Sequence, residues 1–375
     1  MRILVSVGQA GPVSGPPRCV LELAEVLQPK GHEFVVAYRI ADTFLPRWDA
    51  IGSRLVQVPN FGVSLSRPIR SSLGTMRSAR GAAATAPDVV YCNFHLTLPF
   101  SVAVARRLDV PLVVNVCQPL PEGSRAFFRF FRWLIGRASA TTFISEQLRA
   151  SYERAGLTGS DAAVVPVGVD TGVYRQATVD ERDRAREALD IETSQPVVLY
   201  MGRLDPTKGI ETLIEAVGRM HDSVNVLVAG SPTARVDQRG TDTYASRLVA
   251  SAPGGVRFIG RHDDNRALLW AADVVVVPSV WPEPLGRVPL EAMACGVPVV
   301  ASRIGGLPEI FTGELAEMLF RPGDAEELAS AVTRMLPGRS QRPSGELLRA
   351  HVAEHFNLDT VATSLESILL SAAGA

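Results

Sequence analysis

Two glutamates eight residues apart, Glu283 and Glu291, bracket Gly286 in the stretch PSVWPEPLGRVPLEAMACGVPVVASRIGG (278–306). The run ADVVVVPS, ending at Ser279, reads as a buried parallel strand. The segment beyond it is expected to open a helix near Gly286 to Val288, because Pro289 is tolerated only in a helix's first turn. Free N–H groups at such a start, beside a glycine that lets a ligand approach, form an anion site. Glu283 precedes that site and Glu291 follows one turn inside the helix. Carboxylates so placed suit a ligand with phosphates in its middle and hydroxyls at both ends, as in a nucleotide diphosphate sugar. The same spacing also fits an ordinary strand–loop–helix unit with surface carboxylates, and spacing alone does not separate the two.

A second pattern is GRLDPTKG (202–209), read as a strand end, a turn and a helix start. Arg203 and Lys208 can close on one diphosphate, the first as a bidentate fork and the second as a point charge. Two solvated cations are the alternative, although cations at a helix start oppose its dipole. Lys30 and Lys208 are the only lysines in the sequence, so the composition does not favour lysine at 208. GQAGPVSGPPR (8–18) lies between the first strand and the first helix. Gly11 and Gly15 allow close approach of a ligand there, and Pro16 starts the helix. The loop is not G-x-G-x-x-G, so no dinucleotide site is read; a plain turn is the alternative. HVAEH (351–355) matches a zinc-peptidase string. No third ligand accompanies it, and a polar helix face is expected.

These residues need elements to hold them. Short Val/Ile-rich runs alternate with helix-length periodic segments throughout, the pattern of parallel α/β sheets. Strands are expected near 2–8, 33–38, 54–58, 88–92, 111–116, 140–144 and 162–166, then near 196–201, 223–229, 255–259, 273–278, 297–301 and 316–320. The segment around 175–189 reads as a connector and a polar helix. The expected division is residues 1–170, residues 171–345, and a tail 346–375 with helical spacing at Leu358, Val361, Leu365, Ile368 and Leu369. A length of 375 residues gives each domain its own core. The net charge of −1 is uneven. Residues 1–168 carry 18 Lys+Arg against 11 Asp+Glu, whereas 169–375 carry 20 against 28. A basic first half suits an anionic partner or membrane surface, with a merely solvated face as the commoner case. RAFFRFFRWLIGR (125–137) could likewise lie on a membrane surface or pack its aromatics inward. Cys19, Cys92, Cys117 and Cys295 are scattered without C-x-x-C, as for reduced thiols, and no apolar run approaches the ~18 residues of a membrane span. A cytoplasmic protein without nucleic-acid partners is expected.

The string EPLGRVPLEAMACGVPVVA (283–301) resembles the E-x7-E signature of the retaining glycosyltransferases of family 4. LAEVLQPKGHEFVV (23–36), TTFISEQLRASYERAGL (141–157), VVPVGVDTGVY (164–174) and VVLYMGRLDPTKGIETLIEAV (197–217) resemble further pieces of that family in the same order, so the resemblance covers nearly the whole chain. It implies the GT-B fold: two facing Rossmann-like domains with a central cleft, an N-terminal acceptor side, a C-terminal nucleotide-sugar side, and a tail crossing back. It implies transfer from a nucleotide diphosphate sugar, UDP-sugar favoured, to a hydroxyl of a small-molecule or glycan acceptor, with natural-product biosynthesis as one setting. No cofactor and no metal are implied, since protein charge stabilises the leaving diphosphate. Arg203 and Lys208 match the phosphate binders. Gly15 matches the loop over the diphosphate, and Gly286 and Arg287 the donor-facing helix start. Glu291 would hold the ribose and Glu283 the donor sugar. The family's usual Gly-Gly is Ser14-Gly15 here, and Cys117 stands where relatives often carry a T-x-H histidine. His95, in YCNFHLTLP (91–99), follows the fourth strand and is a candidate to assist proton transfer, with a structural histidine, or a leaving phosphate that takes the acceptor's proton itself, as the alternatives; Cys117 is expected to shape the acceptor pocket. A nucleotide-sugar epimerase and a non-catalytic nucleotide-sugar-binding regulator are the alternatives.

Overall fold

A computed structural model describes every residue except 10–14, 42, 64–67, 94, 121–122, 160, 193, 221, 232–242, 263 and 375. The chain forms two compact units, Met1–Gly168 with Leu358–Ala375, and Val169–Asn357.

The first unit is built in chain order from β1 (Arg2–Gln9), α1 (Gly15–Leu27), β2 (Glu33–Ile40), α2 (Leu45–Ala50), β3 (Arg54–Gln57), α3 (Pro68–Ala83) and β4 (Val89–Cys92). It continues through α4 (Leu98–Leu108), β5 (Leu112–Val116), α5 (Arg125–Ile135), β6 (Ala140–Phe143), α6 (Glu146–Arg154) and β7 (Ala162–Val164). The strands form one parallel sheet in the order β3-β2-β1-β4-β5-β6-β7. Alternate strand residues face opposite sides. Leu4, Val35, Val90 and Val114 pack under α3, α4 and α5, whereas Ile3, Val5, Val36 and Val113 pack under α1 and α2. Burial on both faces explains why the strands read as unbroken apolar runs.

The second unit holds α7 (Val179–Glu187), β8 (Val197–Met201), α8 (Ile210–Val217), β9 (Asn225–Ala229), α9 (Thr243–Ser251), β10 (Val256–Gly260) and α10 (Arg266–Ala271). Then come β11 (Val274–Val277), α11 (Val288–Ala294), β12 (Val299–Ser302), β13 (Leu319–Phe320), α12 (Ala325–Met335) and α13 (Gly345–His355). Its parallel sheet runs β10-β9-β8-β11-β12-β13. The strand order reverses direction between β1 and β4 in one unit and between β8 and β11 in the other. In open α/β sheets, ligands sit outside the carboxyl ends of strands at such a switch point.

The tail differs from the expected single returning helix over 346–375. It is two helices, and α13 stays with the second unit, where it packs on α11 and Arg349 donates to Ala294 O at 2.8 Å. Only α14 (Leu358–Ala373) rejoins the first unit, packing Val361, Ala362, Leu365 and Leu369 into the core beside α1. Lys30 and His32 both hold its Glu366, at 2.9 and 2.8 Å. The break falls at Phe356–Asn357, where φ of −134° at Phe356 ends the helix.

Candidate functional site

In the second unit the site grows from the loops after β8 and β11. Beyond β8 the chain reaches Arg203, whose carbonyl accepts from the buried Tyr200 hydroxyl at 2.7 Å. Asp205 then caps a short turn, Pro206–Lys208, accepting from the Thr207 amide at 3.0 Å and its hydroxyl at 2.5 Å. Burial acts to raise the Asp205 carboxyl. The two Thr207 bonds and the charges of Arg203 and Lys208 outweigh it, so the net shift is below the ordinary value. Gly209 closes the turn at φ 63°, and a Cβ there would stand 2.0 Å from Pro278 O. Only glycine lets this loop lie on the chain leaving β11, where Val280 N donates to Thr207 O at 3.0 Å.

That apposition delivers Lys208 to Glu283. The Lys208 ammonium donates to Glu283 Oε1, which also accepts from Ser279 Oγ at 2.6 Å. The Glu283 backbone is fixed from the other side by the loop after β12. Gly306 N donates to Glu283 O at 2.8 Å, and a Cβ on Gly305 would fall 2.3 Å from that same oxygen. The glycine pair at 305–306 therefore lets one loop seat the backbone of Glu283. Gly286, at φ 99°, turns the chain into α11, with Pro289 in its first turn as expected. Glu291 is buried on α11 and accepts from Arg287 Nε at 2.7 Å.

The structure thus brings Arg203, Lys208, Glu283, Gly286, Arg287 and Glu291 to the switch-point end of one sheet. Of the two residues read as closing on one diphosphate, Lys208 turns to Glu283, and Arg203 lies 3.5 Å from Asp205 with most of its side chain exposed. Sequence reading missed Ser279, Asp205 and Tyr200. Asp205 had a legible signal, because D-P-T is an N-cap followed by proline.

In the first unit, Gly15 is the exposed first residue of α1, and a Cβ added there would meet no atom within 4 Å. Gly11 and Ser14 lie outside the described residues. The chain after β4 carries Asn93, 3% exposed, whose Nδ2 donates to Pro16 O at 2.8 Å. Asn93 Oδ1 accepts from Asn115 Nδ2 at 2.9 Å, and Asn115 Oδ1 accepts from Thr142 Oγ1 at 3.1 Å. One polar chain therefore ties the α1 start to the ends of β4, β5 and β6. No motif announces it, since isolated Asn and Thr residues carry no spacing. Cys117 joins it, its thiol donating to Asn93 O at 3.3 Å. Desolvation, with Cys19 and Cys92 nearby, pushes that thiol up to about 12. His95 opens a short turn after β4, half-buried and edge-on to Phe131 at 6.5 Å; burial lowers its imidazole below the ordinary value. The HVAEH histidines serve structure: His351 Nε2 is bonded to Ile310 O at 2.7 Å, and the two imidazoles meet edge to face at 4.9 Å.

The family description "Glycosyl transferases group 1" matches residues 181–344, and "Glycosyltransferase Family 4" matches residues 13–173. The glycogen synthase of Mycobacterium tuberculosis is 30% identical over 321 residues, covering 80% of this chain and 71% of that one. TuaC of Bacillus subtilis, named for teichuronic acid biosynthesis, is 28% identical over 253 residues, which span 66% of this chain and 61% of TuaC. Among solved structures, Anabaena HepE in complex with UDP and glucose superposes with a TM-score of 0.84 at 25% identity, covering 98% of this chain and 99% of that one. The fold is that of the GT-B glycosyltransferases, two parallel-sheet α/β domains.

Proposed function

The chain belongs to the family 4 glycosyltransferases, and on that premise we propose that it moves a sugar, with retention and without metal, from a nucleotide diphosphate sugar to an acceptor hydroxyl. The observation that supports this most is the Glu283 assembly. Lys208 and Ser279 both bond Glu283 Oε1, which orients the carboxylate and leaves Oε2 to take a donor-sugar hydroxyl. Lys208 has further donors for a phosphate, and Arg203, weakly held by Asp205, can swing its fork onto the same diphosphate. Charge placed there stabilises the leaving group as the glycosidic bond breaks. Glu291 and Arg287 would take the ribose end. A UDP-sugar is the favoured donor because HepE was solved with UDP and with UDP-glucose. The acceptor is a small molecule or glycan, with a natural-product scaffold as the first class to try, and the reaction is set in the cytoplasm.

The test is a panel of UDP-, GDP-, dTDP- and ADP-sugars with hydroxyl acceptors, reading free nucleotide diphosphate and the anomeric configuration of the product in the presence of chelator. Release of nucleotide diphosphate with a retained anomer is expected. Interconversion of the donor sugar without transfer would replace this reading with an epimerase. Calorimetry separates the two glutamates. Glu291→Gln is expected to weaken UDP binding about ten-fold or more, the scale of one charged hydrogen bond. Glu283→Gln should leave UDP binding intact and damage transfer. The reverse pattern would exchange the two roles.

The acceptor side is proposed to use His95. Its lowered imidazole is neutral, and so a competent base, down to a pH below the ordinary ~6.5. The acid limb of kcat/KM should therefore lie below that value, with activity lost as pH falls and His95 takes up a proton. His95→Ala should cost on the order of 10²-fold and remove the limb. Cys117, a thiol throughout the neutral range, should tolerate Cys117→Ser with its main change in acceptor KM. A Cys117→Ser variant without turnover, beside a silent His95→Ala, would move the acceptor chemistry to Cys117.

A further inference from the structure

The helices on the two sides of the first unit's sheet treat their cations differently. On the α1 and α14 side they are neutralised: Arg18 by Glu22 at 2.9 Å, Arg47 by Glu25 at 2.7 Å, and Lys30 by Glu366 at 2.9 Å. On the other side lie α3 and α5, both packed against α4 over the same core. There Arg70, Arg77 and Arg80 of α3, and Arg129, Arg132 and Arg137 on or just after α5, are all exposed. None of the six has an ion-pair partner among the described residues, although carboxylates are paired readily elsewhere in the unit. Six exposed arginines without a carboxylate partner among the described residues thus lie on or just after these two helices.

That face is also greasier than solvation requires. Leu73 and Met76 are 53% and 63% exposed between the arginines of α3, and Trp133 is 45% exposed on α5 with the Arg137 guanidinium 3.7 Å from its ring centroid. The inner side of α5 is anchored, with Phe131, Leu134 and Ile135 buried, so its outer side is presented on a fixed element. Basic residues interleaved with exposed apolar and indole side chains match the boundary of an anionic bilayer: the charges meet headgroups and the apolar tips enter the acyl edge. A hydrated polyanion would use the arginines and leave Leu73, Met76 and Trp133 in water. No helix among the described residues is long and apolar enough to cross a membrane, so the contact would be peripheral.

We propose that the α3–α5 face of the first unit docks on an anionic phospholipid bilayer. This rests on surface residues alone and stands apart from the donor site, so either can fail without the other. The test is sedimentation of the full chain with vesicles of phosphatidylcholine alone and of phosphatidylcholine mixed in equal parts with phosphatidylglycerol. Binding to the mixed vesicles only, weakening as salt rises, is expected. An arginine near such a surface contributes roughly five-fold in partitioning, so Arg129→Glu with Arg132→Glu should lower it on the order of 10²-fold or more. Trp133→Ala and Leu73→Ala should each lower it measurably, and Arg184→Glu with Arg303→Glu, both exposed on the second unit and outside this face, should not. The wild-type comparison of the two vesicles needs no variant to fold. Equal partitioning to both vesicles would overturn the proposal, as would an equal loss in the Arg184/Arg303 variant. Competition by soluble heparin with Trp133→Ala and Leu73→Ala both silent would also overturn it, because the face would then read charge on a polymer.

Discussion

Arg203→Ala and Lys208→Ala are each expected to lower kcat by roughly 10²-fold or more, the scale for removing one preorganised charge from a developing anion. The two residues reach the phosphate differently, and the variants should show it. Arg203 is mostly exposed and its Asp205 partner stands at 3.5 Å, so moving it onto a ligand breaks little. Arg203→Lys keeps the charge and loses the planar fork, so it should recover only part of the rate. Lys208 is less exposed and already bonded to Glu283. Removing it takes away a phosphate donor and also releases the carboxylate that Ser279 and Lys208 together orient. Lys208→Ala should therefore raise the apparent KM for the donor as well as lower kcat, and combining it with Glu283→Gln should cost less than the sum of the two. Steady-state rates with a UDP-sugar check this. Near-wild-type turnover in both single variants would remove the diphosphate from this turn.

The strands were the most legible part of the fold. Val274 to Val277 pairs with β8 along one edge and β12 along the other, and its side chains are buried or nearly so, which leaves little reason to carry polar residues. The start of α11 was legible because Pro289 restricts where a helix can begin. The loops were legible only as residue types. That Gly209 and Gly305 are glycines is visible in the sequence, but the reason lies in the backbone oxygens of Pro278 and Glu283, which come from distant strands. The polar chain through Asn93 escaped for the same reason, because a hydrogen bond across strand ends leaves no local period, and the bond from Ser279 to Glu283 depends on how the loop after β11 folds back. The tail was misjudged because α13 and α14 have continuous helical character, and the turn between them is set by what each packs against.

The polar helix that precedes β8 was legible as a helix, but what holds it to the sheet was not. Its sequence, VDERDRARE, looks like a solvated surface element, and its capping box of Thr178 and Glu181 is a local signal that was there to read. Yet Arg186 is 3% exposed. Its guanidinium donates to Asp273 at 2.6 Å, to Ala271 O at 3.1 Å and to Gln195 O at 3.0 Å. Arg182 donates to the other oxygen of Asp273 at 2.6 Å, and the amide of Val197 donates to Asp273 at 2.8 Å. A helix rich in charge is thus held to the sheet through its charges, because one carboxylate at the head of β11 satisfies two arginines and the first amide of β8. No composition rule separates such an arginine from a solvated one, since the deciding residue lies far along the chain.

That network carries the largest expected effect on stability. Asp273→Asn keeps the size of the side chain and removes the charge, leaving the buried Arg186 and its neighbour Arg182 facing each other without a counter-ion. Removing one partner of a buried pair typically costs about 3–5 kcal/mol, most of it the penalty of the stranded charge. At roughly 2–4 °C per kcal/mol for a domain of this size, the Tm of the second unit should fall by about 10 °C. Arg182→Met should cost much less, because Arg182 is partly exposed and its loss leaves Asp273 still paired with Arg186. The order of the two variants distinguishes a stranded charge from a general intolerance of change at this junction. Thermal unfolding followed in the presence and absence of UDP would show both, since a ligand on the second unit should raise the variant's Tm as it does the wild type's. An Asp273→Asn protein that melts with the wild type, or an Arg182→Met protein that melts below Asp273→Asn, would mean that the carboxylate does not hold this helix in place.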